Sequence, residues 1–310
     1  MDNVKDNAKR EDNTSSGGFC RGLGGSNGGF CCGSGERLGG GLSGKYPLTG
    51  RENHPENTVV KVGNATIGDG EFDFIAGPCA VESEKQIIET ATALKKSGVK
   101  ILRGGAYKPR TSPYSFQGLG KEGLKFLRKA KEETGLAVVT EITDLRTLDL
   151  FDGIDMIQIG ARNMQNFELL KEVGKFGKPV LLKRGFVNTV EEWLMSAEYI
   201  ASNGALDIVL CERGVRTFET LTRNTLDLGI IPLVKELTRL PVIIDPSHAS
   251  GNKKLIRPLT LAAAAVGADG AIIECCVSPE NAVCDGEQAI TPEELKDIIS
   301  TAAKVREASR

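Results

Sequence analysis

Along the chain, the pattern of apolar positions changes character at Thr58. From there to the C-terminus, short β-type apolar runs alternate with Gly-rich or polar turns and with stretches of helical spacing. The runs fall at 72–76, 100–103, 137–141, 156–159, 179–183, 207–212, 241–245 and 270–274. Between the first two, Ile87, Ile88, Ala91 and Leu94 recur at helical intervals. After the last, Leu295, Ile298, Ile299, Ala302 and Val305 do the same. Thr291, Pro292, Glu293 and Glu294 provide that last helix with a cap, a first-turn proline and acids at its N-terminus. Ahead of the alternation, Val59, Val60, Val62 and Ile67 flank Gly63-Asn64 and predict a short hairpin over 59–67.

Eight strand–helix units in about 240 residues predict an α/β fold, a (β/α)8 TIM barrel preceded by the hairpin. A doubly wound open sheet is the alternative. Residues 1–57 show neither period. They are rich in Gly, Ser and Asn with a few hydrophobes such as Phe19 and Phe30, which predicts a disordered low-complexity tail. The expected division is therefore a tail over 1–57 and a catalytic barrel over 58–310. Residues 39–45 spell G-x-x-x-x-G-K, but Tyr46 follows where Ser or Thr would stand, and no apolar strand precedes. Cys20, Cys31 and Cys32 have no fourth metal ligand close by.

The charge balance, 39 basic against 41 acidic side chains, leaves no electrostatic footprint for nucleic acid or an anionic membrane. No apolar run reaches the roughly 18 residues of a membrane span. Eight cysteines match neither a disulfide scaffold nor a paired CxxC zinc pattern and read as reduced thiols of a cytoplasmic protein. Asp2, Asp6, Glu11 and Asp12 argue against a signal or transit peptide.

In such barrels chemistry sits where strands end. The first strand ends in Gly77-Pro78-Cys79, the seventh in Asp245-Pro246-Ser247-His248 and the eighth in Glu274; the next loop holds Asp285. A thiol, an imidazole and two carboxylates on one rim suit a divalent first-row ion, although each alone is also an ordinary core or hydrogen-bonding residue. Arg103, Lys108, Arg110, Arg162, Lys183, Arg184, Arg213 and Arg216 follow strands two, four, five and six. Eight cations on one rim imply a substrate with more than one anionic group. Gly104-Gly105 and Gly160-Ala161 would let backbone N–H groups approach the same anions. No Ser–His–Asp arrangement is present; a Schiff-base role for Lys183 stays open beside phosphate binding.

Six runs stand together in order: Gly77-Pro78-Cys79-Ala80-Val81-Glu82-Ser83, the stretch from Arg103-Gly104-Gly105 through Lys108-Pro109-Arg110-Thr111-Ser112-Pro113, Ile159-Gly160-Ala161-Arg162-Asn163, Leu181-Leu182-Lys183-Arg184-Gly185, Cys211-Glu212-Arg213-Gly214, and Ile244-Asp245-Pro246-Ser247-His248-Ala249. From about Thr58 onward the chain thereby resembles the type Iβ 3-deoxy-D-arabino-heptulosonate 7-phosphate (DAHP) synthases. The resemblance implies a transferase that condenses phosphoenolpyruvate with erythrose 4-phosphate at the entry to the shikimate pathway and aromatic amino-acid biosynthesis. It implies one divalent ion (Mn, Fe, Co or Zn) on Cys79, His248, Glu274 and Asp285. Phosphoenolpyruvate would be held by Arg103, Lys108, Gly160, Ala161, Arg162, Lys183 and Arg213, and erythrose 4-phosphate by Arg110, Thr111, Ser112 and Asp245. Lys108, His248, Cys79 and, for positioning water, Glu141 are the catalytic candidates. A homo-oligomer, tetramer or dimer, is also implied. The competing family is 3-deoxy-D-manno-octulosonate 8-phosphate (KDO8P) synthase, which acts on a five-carbon aldose phosphate; Pro109-Arg110-Thr111-Ser112 after Lys108 favours the four-carbon substrate. A metal-binding barrel without turnover is the non-enzymatic alternative.

Overall fold

A computed structural model describes residues 44–310 of the 310-residue chain. Strands β1 (Val60–Val62) and β2 (Ala65–Ile67) pair antiparallel, with Val62 opposite Ala65. The two-residue turn between them places Gly63 at φ +59, a conformation that glycine adopts without a Cβ penalty. Eight parallel strands follow: β3 (Asp73–Gly77), β4 (Ile101–Arg103), β5 (Ala137–Ile142), β6 (Met156–Ile159), β7 (Val180–Lys183), β8 (Ile208–Glu212), β9 (Val242–Ile244) and β10 (Gly270–Glu274). They close in sequence order, β10 pairing with both β9 and β3.

Helices α1 (Glu84–Lys96), α2 (Lys121–Thr134), α3 (Phe167–Phe176), α4 (Val190–Ala201), α5 (Ile230–Leu237), the short α6 (Pro246–Ser250), α7 (Lys253–Ala265) and α8 (Pro292–Ala308) complete the crossovers. The one exception follows β5, where only a 3-10 helix, Leu145–Phe151, fits between the strands. Ile87, Ala91 and Leu94 form the buried face of α1, and Thr291 and Glu294 make a reciprocal capping box on α8. Among the described residues no helix is long and apolar enough to cross a membrane.

Period-two alternation builds the barrel interior in layers. Ile75, Ile101, Val139, Met156, Leu181, Val209, Ile243 and Ile272 form one buried cluster with Val60, Val62, Ala65 and Ile67, so the hairpin stoppers the N-terminal mouth of the barrel. Two residues further along the same strands stand Arg103, Glu141, Gln158, Lys183, Asp245 and Glu274. The same strand face thus turns from apolar to charged in one step. Gly77 at the end of β3 has φ +155, and a Cβ there would lie 1.9 Å from the Arg103 carbonyl oxygen; only glycine lets β3 and β4 meet at that level.

Residues 44–57, expected in the tail, pack on the barrel instead. Tyr46 and Thr49 are buried. The Glu198 carboxylate of α4 accepts hydrogen bonds from Leu48 N and Thr49 N at 2.7 and 3.1 Å and from Thr49 Oγ1 at 2.7 Å. Arg51 Nε donates to the Lys235 carbonyl of α5 at 2.8 Å. A single carboxylate organising three donors carries no periodic signature, which is why the pattern of the sequence does not reveal the strap. The expected tail up to residue 43, with Cys20, Cys31, Cys32 and most of the 39–45 run, lies outside the described residues.

Beneath the barrel, burial and then the Asp69 charge push the Asp73 carboxyl up to about 6, against partial relief from Lys100, 3.9 Å away. A carboxyl raised in the folded state favours folding while protonated, and that advantage is lost as pH rises from about 4 through about 6. Asp73→Asn is therefore expected to raise Tm at pH 7–8, by an amount equivalent to roughly 2–3 kcal/mol, and to leave it nearly unchanged below pH 4. Thermal unfolding at both pH values checks this; an equal change at both would sink it.

Candidate active site

The polar layer and the loops above it enclose a cavity of about 530 Å3. Cys79 follows β3, His248 lies on α6 directly after β9, Glu274 ends β10 and Asp285 sits in the next loop. One donor atom from each lies within 4.8 Å of the others, a set that could hold a metal ion. Asp285 is the one non-glycine residue at positive φ among the described residues, +55. That strain, typically about 1–3 kcal/mol, is maintained at the position where its carboxylate is needed.

Asp245 caps α6, accepting from His248 N at 2.9 Å, and its Oδ2 lies 2.7 Å from His248 Nδ1. The same oxygen is salt-bridged to Lys183 Nζ. Asp245 is fully buried and does not line the cavity. The expectation that it touches the aldose is therefore revised: its inward position on the barrel commits Oδ2 to the imidazole and the lysine and Oδ1 to the backbone N–H of His248. Lys183 is thus held by a carboxylate rather than set in an apolar pocket.

His248 Nε2 faces Glu274 Oε1 at 3.1 Å, yet that buried oxygen has no hydrogen-bond partner. Gln288 Nε2 donates to the other oxygen, Oε2, and Ser247 Oγ accepts from Glu274 N at 3.0 Å. Burial opposes a charged imidazole, but the Asp245 and Glu274 carboxylates overcome it and push His248 up to about 10. Glu274 itself, despite burial, is held well below the usual carboxylate range by His248, Arg103 and Lys108. Carboxylates that draw a proton onto a neighbouring imidazole make a nest suited to a cation. The donor set and the Glu274 oxygen, which has ion-pair neighbours in His248 and Arg103 but no hydrogen bond, both fit a divalent ion.

Cys284, which the sequence reading passes over although it directly precedes Asp285 in the same loop, sits with its Sγ 3.0 Å from Cys79 Sγ. Lys108 Nζ donates to Cys79 Sγ at 3.2 Å, and Arg110 Nη2 donates to Cys284 Sγ. The Cys79 hydrogen bond and then the Lys108 and Arg110 cations lower the Cys284 thiol. Burial works against the Lys108 ammonium, but Cys79 keeps it above the ordinary lysine range.

Of the eight cations expected at the rim, seven line the cavity: Arg103, Lys108, Arg110, Arg162, Lys183, Arg213 and Arg216. Arg184 does not. It neighbours the inward-facing Lys183, so period two turns it outward, where it pairs with Glu212 at 2.9 Å and Asp227 at 3.4 Å. Thr111, Ser112, Gly160, Ala161 and Glu141 also line the cavity. At Gly160 a Cβ would come within 1.9 Å of Glu141 Oε1, so the glycine makes room for that carboxylate, which accepts from Gln158 at 3.1 Å. Sequence reasoning missed Arg223, Asn224, Phe186 and Gln288. The clustering of Arg213, Arg216 and Arg223 behind a single strand was a usable signal for the first of these.

A closed parallel barrel whose C-terminal face joins a metal-ligand nest to a ring of cations defines a (β/α)8 protein built for polyanionic ligands. The chain belongs to the DAHP synthetase I family, which it matches over residues 53–309. It is 53% identical over 264 residues to the phospho-2-dehydro-3-deoxyheptonate aldolase of Thermotoga maritima, covering 85% of this chain and 78% of that one. The crystal structure of that DAHP synthase aligns with a TM-score of 0.81 at 51% identity, over 85% of this chain and 77% of that one. A truncated form of the 3-deoxy-D-arabino-heptulosonate 7-phosphate synthase from the same organism gives 0.80 at 48% identity, covering 86% of this chain and 98% of that one. A 2-dehydro-3-deoxyphosphooctonate aldolase of Desulfotalea psychrophila is 30% identical over 266 residues, covering 78% of this chain and 92% of its own.

Proposed function

We propose that this protein is a DAHP synthase, condensing phosphoenolpyruvate with erythrose 4-phosphate and water to give DAHP and inorganic phosphate. The observation that carries this reading is the single cavity in which the Cys79–His248–Asp285 donors, with Glu274 behind them, adjoin seven rim cations. The phospho-2-dehydro-3-deoxyheptonate aldolase relative, at 53% identity, supports the four-carbon sugar over the phosphooctonate aldolases at 30%.

Cys79, His248, Glu274 and Asp285 would hold Mn, Fe, Co or Zn, which when bound supplies Lewis-acid polarisation of the aldehyde oxygen. Arg162, Arg213, Lys183 and Arg103, with the backbone of Gly160 and Ala161, hold the phosphoenolpyruvate carboxylate and phosphate. These cations compensate its charge as C3 attacks the aldehyde carbon and positive character develops at C2. Water adds at C2, positioned by Glu141, and the C2–O bond to phosphate breaks. Lys108 carries a proton at Nζ beside the aldehyde oxygen, and Arg110, Thr111 and Ser112 hold the sugar phosphate. Gln288 fixes the Glu274 carboxylate through its amide.

Phosphate release from phosphoenolpyruvate, measured with erythrose 4-phosphate and with arabinose 5-phosphate, tests the reading. Turnover only with the five-carbon sugar would make the protein a KDO8P synthase, and none with either would leave a binding barrel. The subsites are separable. Arg162→Ala is expected to weaken phosphoenolpyruvate by about one to two decades, the loss of a charge-assisted bond of roughly 1.5–3 kcal/mol. Arg110→Ala should instead raise KM for erythrose 4-phosphate. Equal loss of phosphoenolpyruvate affinity in both would show the subsites to be wrongly divided.

A further inference from the structure

Phe186 belongs to none of the motifs that carry the resemblance, yet its ring stands at the centre of the cationic wall. It follows β7, between the loop after β6 that carries Arg162 and the loop after β8 that carries Arg213 and Arg216. The guanidinium carbons of Arg162, Arg213 and Arg216 lie 5.4, 4.6 and 4.8 Å from its ring centroid. All three distances are within the range of a cation–π contact. The Phe186 carbonyl accepts from Arg216 N at 2.7 Å, which ties the loops after β7 and β8 together at the ring itself.

Three guanidinium groups around one point repel one another, and water screens that repulsion only on the exposed side. Among the described residues none of the three forms a salt bridge with an acidic side chain. Arg213 is braced by two carbonyls, those of Gly214 at 3.3 Å and His248 at 3.1 Å. Arg213 is buried, whereas Arg162 and Arg216 are exposed and keep part of their hydration; the feature common to all three is the negative face of the ring, which attracts cations without neutralising them. A carboxylate in the same place would hold the arginines but would repel an anionic ligand. An aliphatic side chain would fill the volume but offer the charges nothing.

We propose that Phe186 is a positioning residue: its ring gathers Arg162, Arg213 and Arg216 into one three-cation subsite, which takes a phosphate group. The inference deepens the phosphoenolpyruvate assignment made above and rests on it for the identity of the natural ligand. It also adds Arg216, which the resemblance leaves without a role, to the groups that bind the anion.

The test compares the full chain with Phe186→Leu, Phe186→Met and Phe186→Tyr. Inorganic phosphate is titrated calorimetrically at constant ionic strength, and kcat and both KM values are measured in parallel. Without the ring, phosphate affinity is expected to fall about tenfold, equivalent to about 1.4 kcal/mol. KM for phosphoenolpyruvate should rise by a similar factor, more than kcat falls. Phe186→Tyr, which keeps the ring face, should stay within about twofold of the parent. If thermal unfolding shows Phe186→Leu to be misfolded, Phe186→Met, whose flexible chain fills irregular space, provides the reading. Phosphate affinity unchanged in the folded ring-less variant would overturn the proposal. So would an equal loss in Phe186→Tyr, since that would mark a packing role. If the parent protein fails to turn over phosphoenolpyruvate while phosphate binding still depends on the ring, the functional reading falls and the cation platform stands.

Discussion

Stripping divalent ions from the purified protein is expected to bring phosphate release to background, and adding back Mn, Fe, Co or Zn to restore it. The nest explains why the loss should be complete. Asp245 and Glu274 are fully buried carboxylates whose charge is matched by His248, Lys183 and Arg103, and the Glu274 Oε1 lone pairs have no hydrogen bond. Within that donor set Cys79→Ser should lower metal retention by about 10–100-fold: the Cys284 contact and burial push the Cys79 thiol well above its ordinary range against the pull of Lys108, but a bound cation can still displace a thiol proton far more readily than that of a hydroxyl. Metal content measured after timed exposure to chelator gives the answer independently of turnover. Undiminished activity after exhaustive chelation would remove the metal from the mechanism.

The second large effect is expected at Lys108. Its ammonium is held above the ordinary lysine range beside Cys79, in the position that faces both subsites. Lys108→Met should lower kcat by about two to three decades, the usual cost of removing one preorganised electrostatic contact, while metal content and fold persist. Lys108→Arg should recover little, since a planar fork cannot replace a compact point charge. A loss in Lys108→Met of less than about tenfold would show that the proton and the charge come from elsewhere.

The alternation of apolar runs was sufficient to place all eight barrel strands, because strands covered on both faces read as short hydrophobic blocks whatever surrounds them. The metal-ligand candidates could be read for a related reason: each follows the end of a strand or lies in the next loop, so topology gathers them without any knowledge of side-chain contacts. What the sequence does not disclose are interactions between irregular segments. The Glu198 clamp on residues 48 and 49, the Cys284 thiol beside Cys79, the amide of Gln288 and the ring of Phe186 all act across loops whose approach depends on the finished barrel. Arg184 shows the converse error. It has the right residue type next to the right motif, but it sits one step out of phase with the interior and so serves the shell.

A barrel whose interior is packed solid and whose N-terminal mouth is plugged leaves ligands a single face of approach. With β1 and β2 filling the other mouth, ligands reach the site from the C-terminal face, where Thr111, Ser112, Arg162 and Arg216 are exposed at the cavity rim while Arg103, Lys183 and Arg213 lie almost wholly buried below. On the subsites proposed above, phosphoenolpyruvate must be seated before the sugar phosphate closes over it. On that arrangement the two ligands are expected to bind in a fixed order. Erythrose 4-phosphate supplied in excess should stand across that face of approach and slow the very reaction it feeds, an inhibition that rising phosphoenolpyruvate relieves.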